Sequence, residues 1–111
     1  MKAGDIVLVA LPQSDGKIKK RPALLIKQMP RFGDWLICGI STQLHHYIPG
    51  FDEKLDTSHP DYSNSKLLSP SIIRLGFLTV TPSAKIPGVL GNISQSTLKK
   101  LTGNLINHLK K

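Results

Sequence analysis

Cysteine is nearly absent: the 111-residue chain has one, Cys38. A lone cysteine cannot close an internal disulfide, so the fold has to rest on its hydrophobic core. No Cys/His cluster has zinc spacing. Cys38 lies within the apolar run "WLICGI" and reads as a buried, inert thiol. Long hydrophobic runs are missing too, and none approaches the roughly 20 residues that span a bilayer. The opening "MKAGDIVLVALPQ" is interrupted by Asp5 and reads as a first strand, not a signal peptide, which leaves the cytoplasm as the expected compartment and gives no role to a membrane. There is no Gly-rich phosphate loop and no dinucleotide fingerprint, so no cofactor is expected.

Acidic residues are scarce. Seven stand against 15 lysines and arginines, for a formal charge of +8. On a small chain this favours a polyanionic partner, either nucleic acid or an acidic protein, without separating the two. The one acidic grouping is Asp52, Glu53 and Asp56 in "FDEKLD". Three carboxylates in a loop could bind magnesium, but a solvated turn is the simpler reading, and no metal site is assigned. Aromatic residues make up only 5% of the chain, so few side chains can stack on bases. Tyr47, Phe51 and Tyr62 are the candidates, with loop packing as the alternative for each.

What is present fits one domain over residues 1–111, built mainly of short strands. "GDIVLVAL" (4–11), "RPALLIKQ" (21–28), "WLICGIST" (35–42) and "SPSIIRLGFLTVTP" (69–82) have strand composition. "PQSDG" and "MPRFGD" are turn clusters. Residues 43–66 first extend the third strand and then read mostly as a long loop, a class of segment that is often functional. Gly76 marks a bulge or a close approach. Residues 84–94 hold a short strand or a 3₁₀ turn. The end is helical, with Ser94 as N-cap and an apolar stripe of Leu98, Leu101, Leu105, Ile106 and Leu109, and with Gly103 marking close packing on the sheet. Five or so antiparallel strands plus a C-terminal helix predict a small, curved sheet or partly open barrel.

Two segments concentrate chemistry. In "GKIKKRPALLI" (16–26), Lys17, Lys19, Lys20 and Arg21 crowd the entry of a strand fixed by Pro22. In "GISTQLHH" (39–46), an apolar strand ends in Ser41, Thr42, Gln43, His45 and His46. If the strands are neighbours, Arg21 and a hydroxyl share one groove. If the strand continues, His45 and His46 point to opposite faces. A guanidinium beside a hydroxyl suits RNA cleavage, because RNA carries its own nucleophile, the 2′-hydroxyl, and arginine pairs with two phosphate oxygens. A capped strand end with a solvated His pair is the bland alternative.

The order of these motifs resembles the PemK/MazF toxins of type II toxin–antitoxin systems. "GDIVLVALP", a basic loop, "RPALLI", "LICGISTQL", "SPSIIRLGFLTV" and "VLGNIS" with a closing helix follow the family over nearly the whole chain. The resemblance implies a small SH3-like antiparallel β-barrel with a C-terminal helix, usually homodimeric. It implies metal-independent, sequence-specific cleavage of single-stranded RNA to a 2′,3′-cyclic phosphate and a 5′-hydroxyl, and inhibition by a cognate antitoxin. The family's catalytic arginine falls on Arg21 and its threonine on Ser41, with Thr42 as a one-residue alternative. Lys17, Lys19, Lys20, Gln43 and Arg74 are then the RNA-binding candidates. Two departures stand out. Serine replaces threonine, and Leu75 and Gly76 follow Arg74 where the PemK branch has an aspartate. His45 or His46 could supply the missing base. The competing reading is a non-catalytic SH3-like module, or a degenerate toxin, that binds nucleic acid or an acidic peptide.

Overall fold

The computed structural model describes residues 1–111. Six strands form one sheet: β1 (Asp5–Pro12), β2 (Ile18–Gln28), β3 (Trp35–Ser41), β4 (Glu53–Leu55), β5 (Ser71–Thr81) and β6 (Val89–Asn92). Their spatial order is β4-β5-β3-β2-β1-β6, with every neighbouring pair antiparallel. Helix α1 is a single turn (Tyr62–Ser65), and α2 runs from Gln95 to Leu109.

Both faces of the central strands are apolar, so each face needs its own cover. Alternate residues serve the two sides. Ile6, Leu24, Cys38 and Ile40 face α2 and bury Leu98, Leu101 and Leu105. Val7, Val9, Ala23, Leu25, Trp35 and Ile37 form a second cluster to which no helix contributes. The sheet covers that side by curling on itself into a half-barrel, with Ile86 closing it. The expected small antiparallel β-barrel with a C-terminal helix is therefore found. Truncating a fully buried leucine such as Leu101 (1% exposed) to alanine would remove about 2–5 kcal/mol.

Several boundaries differ from expectation. β2 begins at Ile18, not at Arg21, so Lys19 and Lys20 lie on a strand paired with Leu11 and Ala10. Pro22 sits inside that strand, opposite Leu8. It is tolerated because pairing of β2 with β3 begins only at Ala23, so no ladder partner needs its missing N–H. β3 stops at Ser41 and does not extend into the following loop. The long loop holds a 3₁₀ turn (Leu44–His46), β4 and α1. Residues 84–94 contain both the end of a 3₁₀ turn (Ser83–Lys85) and β6. On α2, Ile106 and Leu109 are exposed: Ile106 is turned away from the face of Leu98, Leu101 and Leu105, and Leu109 is the helix's last residue. A Cβ at Gly103 would meet open space, so this glycine marks no close packing. Gly91 does, since its Cα faces the carbonyls of Asn64 and Ser65 in α1.

A polar network fastens α2 to the long loop. The Ser94 Oγ accepts from the Thr97 N–H at 3.3 Å, the expected N-cap, and its hydroxyl donates to Asp61 Oδ2 at 3.0 Å. The Asp61 N–H donates to His59 Nδ1 at 3.0 Å, which leaves Nε2 as the ring donor to Glu53, 2.7 Å away. Lys100 of α2 reaches the other Glu53 oxygen at 3.0 Å. Burial opposes ionisation of Asp61. Hydrogen bonds from Thr97 and from the Ser94 amide and hydroxyl outweigh that and hold its carboxyl below the ordinary value.

The sign of the linkage follows. A depressed folded value means that Asp61 stabilises the fold above the unfolded value of about 4. That contribution is lost as pH falls through the folded value. Asp61→Asn is expected to be less stable than wild type at neutral pH, and the two proteins should converge between about pH 5 and pH 2. Urea midpoints measured across that range check this. Asp56, also held down, by the Ser58 hydroxyl and amide, is common to both proteins and cancels.

Candidate active site

Four strands bring polar side chains to one end of the sheet. The end of β1 and its hairpin supply Leu11, Pro12, Gln13 and Ser14. β2 supplies Arg21, and the end of β3 supplies Ile40 and Ser41. Gln43 and His46 follow in the turn after β3, and Arg74, Gly76 and Phe77 come from β5. Together they line an open groove of about 630 Å³.

Strand register explains why Arg21 meets Ser41. β2 and β3 pair Leu24 with Cys38 and Ala23 with Gly39. Beyond the last paired residues the same register runs on toward Arg21 and Ser41, and both line the groove. Both side chains are half-buried. The Ser41 Oγ accepts the Gln43 N–H at 3.0 Å, a local turn that ends the strand. The hydroxyl hydrogen remains free to donate into the groove. Thr42 is exposed and does not line the groove, so the hydroxyl on this face is that of Ser41.

Arg74 arrives by a different device. β3 and β5 pair Cys38 with Leu78 and then Ile40 with Ile73. Gly39 alone therefore opposes Arg74, Leu75, Gly76 and Phe77. The expected irregularity at Gly76 is this bulge, and no close approach accompanies it, since a Cβ there would meet nothing. The close approach is at Gly39, where a Cβ would lie 2.5 Å from Phe77 Cδ2. The ring rests against the bare glycine backbone and forms one wall of the groove.

The histidines do not split across a strand. They lie in the 3₁₀ turn with ring centroids 4.2 Å apart, edge to face. His46 lines the groove and His45 does not. Lys17, Lys19 and Lys20 are exposed on the β1–β2 hairpin and flank the groove without lining it. Of the aromatic candidates none lines it either. Tyr47 lies under Lys54, whose ammonium is 5.3 Å from the ring, and Phe51 and Tyr62 pack on the α2-side core. Sequence reasoning missed Phe77, for which the only local signal was the adjacent Gly76.

The charge balance is one-sided. No residue lining the groove is acidic. The Lys100–Glu53 salt bridge and the His59–Glu53 hydrogen bond lie elsewhere, so Arg21 and Arg74 both keep their guanidinium forks for an anion. Asp52, Glu53 and Asp56 are not one solvated turn. Asp52 is 3% exposed and Glu53 8% exposed, and each of the three serves different local partners. Cys38 is fully buried, and burial, aided by the Asp52 charge, pushes its thiol far up. It stays protonated and inert, as read from the sequence.

Gly39→Ala should force the Phe77 ring off the sheet. The expected destabilisation is about 1–3 kcal/mol, and it should largely vanish in a Phe77→Ala background. A double-mutant cycle of denaturant unfolding measures this. Full additivity would show that the two residues do not contact.

The whole chain bears comparison with known proteins. A search of curated proteins finds no match. A toxin MazF-mt6 from Mycobacterium tuberculosis has a similar solved structure, with a TM-score of 0.67 and 18% identity over 96% of each chain. At that identity the likeness speaks for the fold. The family model described as "PemK-like, MazF-like toxin of type II toxin-antitoxin system" matches residues 2–109. With 108 of 111 positions spanned, the chain belongs to the PemK-like, MazF-like toxin family of type II toxin–antitoxin systems.

Proposed function

We propose that the chain is one toxin domain acting as a metal-independent endoribonuclease on single-stranded RNA. One observation carries this reading: two unpaired guanidiniums, two hydroxyls and an imidazole line a single groove without a carboxylate. Such a groove suits a phosphodiester better than a cation or a neutral substrate.

The chemistry needs little from the protein. The RNA 2′-oxygen attacks the adjacent phosphorus, and the P–O5′ bond breaks. A 2′,3′-cyclic phosphate and a 5′-hydroxyl result. Arg21 and Arg74 hold the non-bridging oxygens as charge gathers on them. The Ser41 hydroxyl donates to one of those oxygens, its own lone pair being engaged by the Gln43 amide. His46 accepts the 2′-proton, and solvent protonates the departing 5′-oxygen. His46 fits this role better than His45 because only His46 lines the groove. Gln43 contacts a base edge or phosphate from the same wall. Lys17, Lys19 and Lys20 follow the RNA backbone, so affinity should fall with salt. An antitoxin would be the partner that covers the groove in the cytoplasm, and a homodimer would be the working unit.

Cleavage of a long single-stranded RNA in excess EDTA tests the reading. Wild type should cut at a few discrete sites, and Arg21→Ala should lose about 10²–10³ in rate. A loss of only two- to threefold in a folded variant would reduce Arg21 to a binding residue. RNA retention without cutting by wild type would favour the binding-module reading. A second measurement addresses the base. Wild-type rate should fall on acidification as the imidazole protonates, and this limb should be missing in His46→Ala but kept in His45→Ala. An unchanged profile in His46→Ala would remove it as the base.

A further inference from the structure

Asp52 is not among the residues that line the groove. It is 3% exposed and makes no salt bridge. Its Oδ1 accepts the Leu75 N–H at 3.1 Å, and its Oδ2 accepts the Ile48 N–H at 3.1 Å. A carboxylate withdrawn from water is costly unless its oxygens are well satisfied. Both of these partners are backbone amides that the sheet leaves free. Leu75 belongs to the four-residue bulge that opposes Gly39 alone, so its amide has no partner on β3. Its side chain points into the α2-side core, 1% exposed, while the bulge's other three residues, Arg74, Gly76 and Phe77, line the groove. Ile48 lies two residues after His46, just past the Tyr47 cap of the 3₁₀ turn, and its carbonyl also accepts the Asp52 N–H at 2.9 Å. The register of β4 delivers the residue to this spot: Glu53 pairs with Ile73, so Asp52 comes alongside Arg74.

We propose that Asp52 is a positioning residue that fixes the Arg74 bulge against the segment just after the His46 turn, by bridging the Leu75 amide of the one and the Ile48 amide of the other. One carboxylate thereby sets the distance between the second guanidinium and the imidazole. A neutral amide could not do the same work, because Asn offers one acceptor oxygen and turns an N–H₂ donor toward the second amide. The inference rests on the ribonuclease reading for its catalytic consequence, though the clamp itself can be read without it.

The test combines kinetics with amide exchange. Asp52→Asn should lower kcat on single-stranded RNA about 10- to 100-fold, with KM within threefold, at a temperature where the variant is folded. Combined with Arg74→Ala, it should add little to the loss that Arg74→Ala causes alone. An unchanged kcat, or multiplicative losses in the double variant, would overturn the proposal. A role in stability alone would lower the unfolding midpoint without producing that non-additivity. Hydrogen exchange supplies the arm that needs no activity. In wild type the Leu75 and Ile48 amides should be protected, and in Asp52→Asn these two should lose protection while α2 keeps its own. Rapid exchange of both in wild type would overturn the clamp. If wild type cleaves no RNA, the ribonuclease reading fails, and these two amides still decide whether the clamp exists.

Discussion

The mismatch between β3 and β5 at Gly39 is the constraint on which the site depends. One residue of β3 opposes four of β5. An antiparallel ladder cannot absorb three extra residues without releasing backbone groups and bending the strand. The bend lifts Arg74, Gly76 and Phe77 out of the sheet and into the groove. Gly39 makes it possible, because only a residue without a Cβ leaves room for the Phe77 ring against the strand. The released Leu75 amide then needs an acceptor, and Asp52 provides one. A regular pairing of β3 with β5 would have placed Arg74 in a ladder and left no groove wall opposite Arg21.

The same economy governs the acidic residues. Asp52 holds the bulge, Asp61 braces the N-cap of α2, Glu53 joins His59 to Lys100, and Asp56 caps the turn at Ser58. Each carboxylate in the long loop is engaged by local donors, away from the groove. The groove is left with cationic and neutral donors only. Its positive potential therefore comes as much from where the few acids are held as from the excess of lysine and arginine. This also explains why the loop is ordered into short elements. Its carboxylates have partners within the chain, which ties the segment to β5 and α2.

Much of the fold was legible in the residues. The apolar runs marked four of the six strands, and the Ser94 cap and leucine spacing marked the helix. The Arg-Pro step and the "GISTQLHH" strand end pointed to Arg21 and to a hydroxyl near residue 41. β4 and α1 were not legible. Three- and four-residue elements carry too little periodicity, and "EKL" becomes a strand only because β5 offers an edge to pair with. Phe77 and Asp52 were hidden for a related reason. A phenylalanine in an apolar strand looks like core, and an aspartate in a polar loop looks solvated, until the neighbour across the sheet is known.

The sequence by itself determined the strand-rich class, the capped terminal helix, the inert cysteine and the basic character of the molecule, because these follow from local periodicity and composition. It also determined which residue types could handle a phosphate. Only the tertiary structure decided that Ser41 and not Thr42 enters the groove, that His46 and not His45 lines it, and that Arg74 reaches it at all. The first and third turn on strand register, the second on the 3₁₀ turn that follows β3. A shift of one residue reverses every side chain of a strand, and register is set by packing between segments far apart in the chain, such as Asp52 against Leu75.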